Sequence, residues 1–152
     1  MTRHLAGACA LAALLTTAAA PAQIARTRTI NATDAQTITD ACLALAAKSG
    51  WKVHVAVLNE HGDLVRFVGM DGASRTSAVL AQGKAGTVFR TGRSTAEVAK
   101  MAETAQRAFN AVTYAGGLPV MVDGRLAGTV GVSGATEAQD EECARAGIAA
   151  AL

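Results

Sequence analysis

The chain has 152 residues, 51% apolar, 17% charged and 3% aromatic, with a formal charge of +2 from 14 basic and 12 acidic side chains. That length predicts one globular domain, and a mean hydropathy of +0.26 with so few charges excludes a disordered chain. The near-balanced charge gives no electrostatic footprint for nucleic acid, and three Phe, one Trp and one Tyr leave little for stacking bases.

Residues 1–22 read as a secretory signal. Arg3 and His4 open it, an apolar run follows from Leu5 to Leu15, and Ala20-Pro21-Ala22 is an A-x-A cleavage pattern. The run is too short for a membrane anchor, and Thr16 and Thr17 follow soon after it. Cys9 follows Ala6-Gly7-Ala8 rather than a Leu-led tripeptide, which argues against a lipoprotein. The expected mature protein starts at Gln23, is periplasmic or secreted, and keeps no membrane segment. Two cysteines, Cys42 and Cys143, remain in it. In an oxidising compartment they are a disulfide candidate that constrains the unfolded chain by roughly 4–5 kcal/mol in the entropic model. Both also sit in helical patterns, so two buried thiols is the competing reading.

Residues 23–32 read as a loose lead-in, and 33–152 as a single domain. Thr33 to Ser49 is a predicted helix: Thr33 with Gln36 fits a capping box, and Ile38, Cys42, Leu45 and Ser49 fall on one stripe before Gly50. Lys52 to Asn59 is a strand, apolar on both faces and so expected to be covered on both sides. Glu60-His61-Gly62-Asp63 turns it into a second strand, Leu64 to Gly69. Met70-Asp71-Gly72-Ala73 breaks that strand, and Arg75 to Val88 has helical composition. Ser94 with Glu97 makes a capping box for a helix carrying Val98, Met101, Ala102, Ala105 and Phe109, with Glu103 and Arg107 as an i,i+4 pair. Tyr114-Ala115-Gly116-Gly117 is a loop. Leu118 to Val122 and Arg125 to Ser133 form a hairpin around Asp123-Gly124. Thr136 with Gln139 opens a last helix ending near Ala151. Two antiparallel hairpins among four helices predict an α+β layered domain with helices on both sheet faces.

Several chemical motifs fail on spacing. Gln82-Gly83-Lys84 has Ala78 and Ala85 where a phosphate loop needs Gly and a hydroxyl residue. Gly131-Val132-Ser133-Gly134 has Ala135 where a nucleophile elbow needs its second Gly. Gly128, Gly131 and Gly134 run into a helix start, where amides bind an anion or simply pack closely. No Cys-x-x-Cys marks a zinc site. His54 lies on a strand face, as a packed histidine or a ligand, and His61 in a turn, as a solvated residue or a ligand. The acidic run Asp140-Glu141-Glu142 is explained by the dipole of the last helix. Lys84 lies among Ala78, Leu80, Ala81 and Ala85, either facing a pocket as an anion receiver or base, or snorkelling at the surface.

As an ordered set, these segments resemble one family. They are Val53 to Val57, Gly62, Met70-Asp71-Gly72-Ala73, Ser77, Lys84-Ala85 with Thr87, Gly116-Gly117-Leu118-Pro119, Gly128, Gly131 to Gly134, and Asp140. The chain is similar to the haem-binding, haem-degrading HbpS-like family, also called the GlcG or PduO C-terminal domain family, over nearly all of 35–152. The resemblance implies a profilin-like α/β/α domain around a five-stranded antiparallel sheet, and homo-oligomers from dimers to octamers. It also implies haem binding in some members and an extracellular accessory role in one branch. The chain departs from the family at Asn59, at His61-Gly62-Asp63 and at Val88. By position, the implied pocket contains Met70, Asp71, Lys84, Thr87, Gly116, Gly117 and Pro119. Exported haem or tetrapyrrole binding leads, with His54 and His61 as candidate iron ligands and Met70 and Tyr114 as further donors. The alternatives are an enzyme or binder for a small hydroxy- or keto-carboxylate at Lys84 and Gly116-Gly117, and a ligand-free oligomeric accessory of a periplasmic partner. Whether the chain catalyses anything stays open.

Overall fold

The computed structural model describes residues 28–152. The expected signal, its cleavage site and most of the lead-in lie outside the described residues. No helix among the described residues is long and apolar enough to cross a membrane.

Helix α1 spans Ala32–Ser49. Its cap is Asn31, two residues upstream of the expected Thr33. The Asn31 side-chain oxygen accepts from the Thr33 and Asp34 N–H groups at 2.8 and 3.0 Å, and the Asp34 carboxylate accepts from the Asn31 N–H at 3.3 Å. Asn is the better cap, because its short side chain reaches two orphan donors from an extended backbone. Gly50, at φ 75°, ends the helix. The chain continues through β1 (His54–Asn59), β2 (Leu64–Gly69) and α2 (Arg75–Thr91), the last capped by Ser74. Two short helices follow, α3 (Thr95–Val98) and α4 (Glu103–Ala108), then the hairpin of β3 (Gly117–Val122) and β4 (Arg125–Ser133). Helix α5 (Glu137–Ala151) starts in the expected capping box of Thr136 and Gln139.

The helix expected from Ser94 to Phe109 is broken. Its capping box forms, but the helix stops after one turn and resumes at Glu103. Of the expected apolar stripe only Val98 is fully buried, and Phe109 is 37% exposed. The Gln106 side chain donates to the carbonyls of Val98, Ala99 and Met101, so the broken end is satisfied without a continuous helix. Glu103 and Arg107 pair at 3.1 Å as expected.

The sheet is antiparallel in the order β2-β1-β4-β3. It has four strands among the described residues, not five. Where β4 runs beyond the end of β1, the lead-in meets it with a single backbone bond, Ile30 N–H to the Ala127 carbonyl at 3.0 Å. Asn31 then turns the chain into α1.

Strand alternation sorts the core into two layers. Val55 and Val57 of β1, with Val130 and Val132 of β4, belong to the larger cluster with Ile38, Cys42, Ala46 and Ala144 of α1 and α5. Ala56 and Leu58 face the other way, against Ala81 and Ala85 of α2. Each buried Val contributes about 1.5–3 kcal/mol. On the α2 side the layers nearly touch. A Cβ on Gly131 would lie 2.0 Å from the Ala81 carbonyl oxygen and 2.6 Å from the Ala85 nitrogen. The abundance of Ala and Gly is therefore the condition for laying a helix backbone directly on the sheet. On the opposite face a Cys42–Cys143 disulfide joins α1 to α5, with Cα atoms 4.7 Å apart.

Candidate functional site

Lys84 lies on the inner face of α2 and is 1% exposed. Its ammonium donates to the Val132 carbonyl and to Asp140 Oδ2, both at 2.8 Å. Asp140, in the first turn of α5, accepts the Ala135 N–H on Oδ1 at 3.0 Å and is equally buried. Because α2 and α5 cover opposite faces, this ion pair passes around the end of the sheet and ties the two layers together. Gly116, at φ 117°, makes the passage: a Cβ there would meet Asp140 Cβ and the Val132 oxygen at 2.7 Å, and Lys84 Nζ at 3.0 Å. Burial pushes the Asp140 carboxyl above its usual range, and the Lys84 hydrogen bond opposes that.

The implied pocket does not form as one site. Lys84, Gly116 and Tyr114 come together, and Lys84 and Tyr114 line a small cavity of about 190 Å³ with Leu80, Ser133, Glu137 and Asp140. Thr87 sits apart, accepting the Val112 N–H at 2.8 Å and donating to the Gly83 carbonyl at 2.9 Å, which pins the loop before β3. The Gly117 N–H turns outward to Thr95 Oγ1 at 3.0 Å. Pro119, two residues on along the edge strand, needs no outward donor. It lines a larger cleft of about 670 Å³ between α3, β3 and α5 with Leu118, Glu97, Arg145 and Ile148. Met70 packs against the α1–α5 core, and Asp71 is exposed in its turn.

The two histidines differ sharply. His61 has a side chain 74% exposed, with Nε2 3.3 Å from a Glu60 carboxylate oxygen. His54 is held. Ser77 Oγ donates to the Ser74 carbonyl at 2.7 Å, so the 2.8 Å contact between Ser77 Oγ and His54 Nδ1 assigns the proton to Nδ1. In the neutral tautomer Nε2 then carries the lone pair. The imidazole stacks on Phe67, with centroids 5.5 Å apart and planes 12° from parallel. It also lies over Gly69, where a Cβ would come within 2.4 Å of Nε2 and Cδ2. Helix α2 packs over β4, β1 and β3, so this end of the sheet face, over β2, is left open. Phe67 is 38% exposed there, and Leu64, at the far end of β2 opposite Leu58, is 49% exposed. No cluster of three metal-binding side chains occurs among the described residues.

Sequence reasoning missed Asp140 as the partner of Lys84, and Ser77 and Phe67 as the partners of His54. Asp140 was legible as a helix-dipole acid and as part of the family pattern, and a separation of 56 residues hides its pairing. The Ser74–Ser77 spacing is a readable cap, but its further bond to His54 depends on how α2 docks on β1.

Comparison with known proteins matches this geometry to a family. Residues 30–149 match the family model described as haem degrading protein HbpS-like. Protein GlcG of Escherichia coli K12 is 37% identical over 92 residues, covering 58% of this chain and 69% of GlcG. A double mutant of Streptomyces reticuli HbpS superposes with a TM-score of 0.76 at 30% identity, over 91% of this chain and 97% of that one. The structure of a PduOC:haem complex also gives 0.76, at 27% identity, over 80% and 94%. The chain belongs to the HbpS-like family.

Proposed function

We propose that the protein is an exported haem-binding protein and that His54 supplies the iron ligand. The observation that carries this reading is the His54–Ser77–Ser74 relay, which assigns a proton to Nδ1 and so leaves Nε2 as the nitrogen that can ligate a metal. A neutral imidazole whose other nitrogen is hydrogen-bonded is the form that ligates metals, and the second bond sets its orientation. The surroundings fit a flat apolar macrocycle: half-exposed Phe67 stacks on His54 on the uncovered part of the sheet face. When bound, haem supplies an iron centre whose reactivity follows its axial ligand and the polarity around it. The chain's part is to hold the imidazole, fix its proton and cover one side of the ring. A similar protein whose structure is a PduOC:haem complex supports haem as the bound group. The Cys42–Cys143 disulfide supports export, because such bonds persist in oxidising compartments. Exposed Leu64, Phe67 and Met121 support a homo-oligomer.

A small carboxylate at Lys84 would compete with Asp140, which already neutralises the ammonium. Hemin titration followed by absorbance tests the haem reading. The expected result is a saturable Soret shift whose Kd rises at least tenfold in His54→Ala and less than twofold in His61→Ala. No shift, or a His54→Ala variant binding like the unsubstituted protein, would refute it.

A further inference from the structure

We infer that the cavity beside the Lys84–Asp140 pair is a second ligand site, for a small uncharged molecule bearing a hydroxyl or carbonyl oxygen. It is separate from the haem reading and does not depend on it.

Two side chains of this cavity keep hydrogen-bonding capacity that the protein does not use. Ser133 is 4% exposed and lines the cavity, and its hydroxyl, open to the cavity, has no protein partner among the described residues. A hydroxyl that opens onto a cavity and spends no bond on the protein is available to a guest. An ammonium has three N–H groups, and Lys84 uses two, toward Val132 and Asp140. The third calls for an acceptor oxygen. The Tyr114 phenol adds a polar group at the mouth, where this side chain is 56% exposed.

Charge selects the ligand class. Lys84 brings one positive charge to the lining, while Asp140 and Glu137 bring two negative ones. Glu137 stays at the rim by accepting the Ala115 N–H at 2.7 Å. An anion entering here meets net negative charge at short range, which disfavours it. A cation would set itself against the Lys84 ammonium, which can only donate. An uncharged molecule with an acceptor oxygen for Lys84 and a second polar group for Ser133 satisfies both. Size agrees. About 190 Å³ is roughly six times a water's share of liquid volume, ~30 Å³, which suits five or six non-hydrogen atoms.

Hydroxyacetone and pyruvate test this directly, since they are nearly the same size and differ in charge. Each is titrated into isotope-labelled haem-free protein and followed by amide NMR shifts, with Ser133→Ala as the control variant. The expected result is saturable shifts at Tyr114, Ser133 and Ala135 with hydroxyacetone, and binding at least tenfold weaker for pyruvate. Ser133→Ala should weaken hydroxyacetone at least tenfold, about 1.4 kcal/mol, while its Tm stays within a few degrees because no protein hydrogen bond is lost. No saturable shift up to 100 mM would mean that the cavity holds only water and would overturn the proposal. So would pyruvate binding as tightly as hydroxyacetone, or an unchanged affinity in Ser133→Ala.

Discussion

Replacing Lys84 with Met keeps most of the stem and removes the charge, which leaves Asp140 buried without its counter-ion. Lys84 and Asp140 are 1% and 2% exposed, so neither can turn to solvent without opening the layers. Breaking a buried pair by deleting one partner costs about 3–5 kcal/mol, because the surviving charge stays desolvated. That is a large share of a total stability of about 5–15 kcal/mol. The loss should also depend on pH. Burial already pushes the Asp140 carboxyl upward, and losing the Lys84 hydrogen bond removes an opposing effect. In the variant the folded-state pKa therefore lies further above the unfolded value. Stability is then fully present below the unfolded pKa and falls as pH rises through the folded one. Urea unfolding should show Lys84→Met crippled at pH 8 and partly recovered at pH 5. The double variant Lys84→Met/Asp140→Asn removes both charges, and the Asn carbonyl still accepts the Ala135 N–H. It should regain most of the loss, less about 1–3 kcal/mol for the Val132 carbonyl left without its donor. A Lys84→Met protein within 1 kcal/mol of the unsubstituted protein at pH 8 would refute this account of the pair.

Replacing both Cys42 and Cys143 with Ala should lower stability by roughly 4–5 kcal/mol, as expected for closing a loop of 101 residues; dithiothreitol should lower the urea midpoint of the unsubstituted protein and leave that of the variant unmoved. The Ser94 hydroxyl and N–H hold the Glu97 carboxyl below its usual range. This contribution is present above the unfolded pKa and lost as pH falls through the folded one, so acid should loosen α3 and Ser94→Ala should cost about 0.5–2 kcal/mol at pH 7. Amide exchange at Val98 would report both. Gly69→Ala would press a methyl into the His54 ring, so hemin affinity should fall at least tenfold in titrations while Tm drops by only a few degrees.

Much of the fold was legible because it rests on local chemistry. Val53, Val55 and Val57 alternate as a covered strand must, and the boxes at Ser94 and Thr136 form where their hydroxyl and acid or amide pairs predict. The break after Val98 was not legible. Helical spacing of apolar residues reports an available stripe, not whether anything packs against it, and α4 buries none of its residues. The fifth strand was a family expectation not met among the described residues, where Ile30 gives β4 one backbone bond before Asn31 caps α1. The site was legible as residues rather than as an arrangement. Lys84 was singled out for its small neighbours, which do make room for it, but its partner lies on a helix across the sheet. His54 was visible as a strand-face histidine, and only the docking of α2 on β1 brings Ser77 to its ring.

The haem assignment is tested most directly by mapping where the macrocycle sits. Gallium protoporphyrin IX, a diamagnetic stand-in for ferric haem, can be titrated into isotope-labelled protein and followed by amide NMR. The account predicts saturable shifts centred on His54, Phe67, Gly69 and Ser77, lost in His54→Ala. Shifts confined to Ser94, Leu118 and Arg145, in the cleft between β3 and α5, would contradict it, as would the absence of any saturable shift.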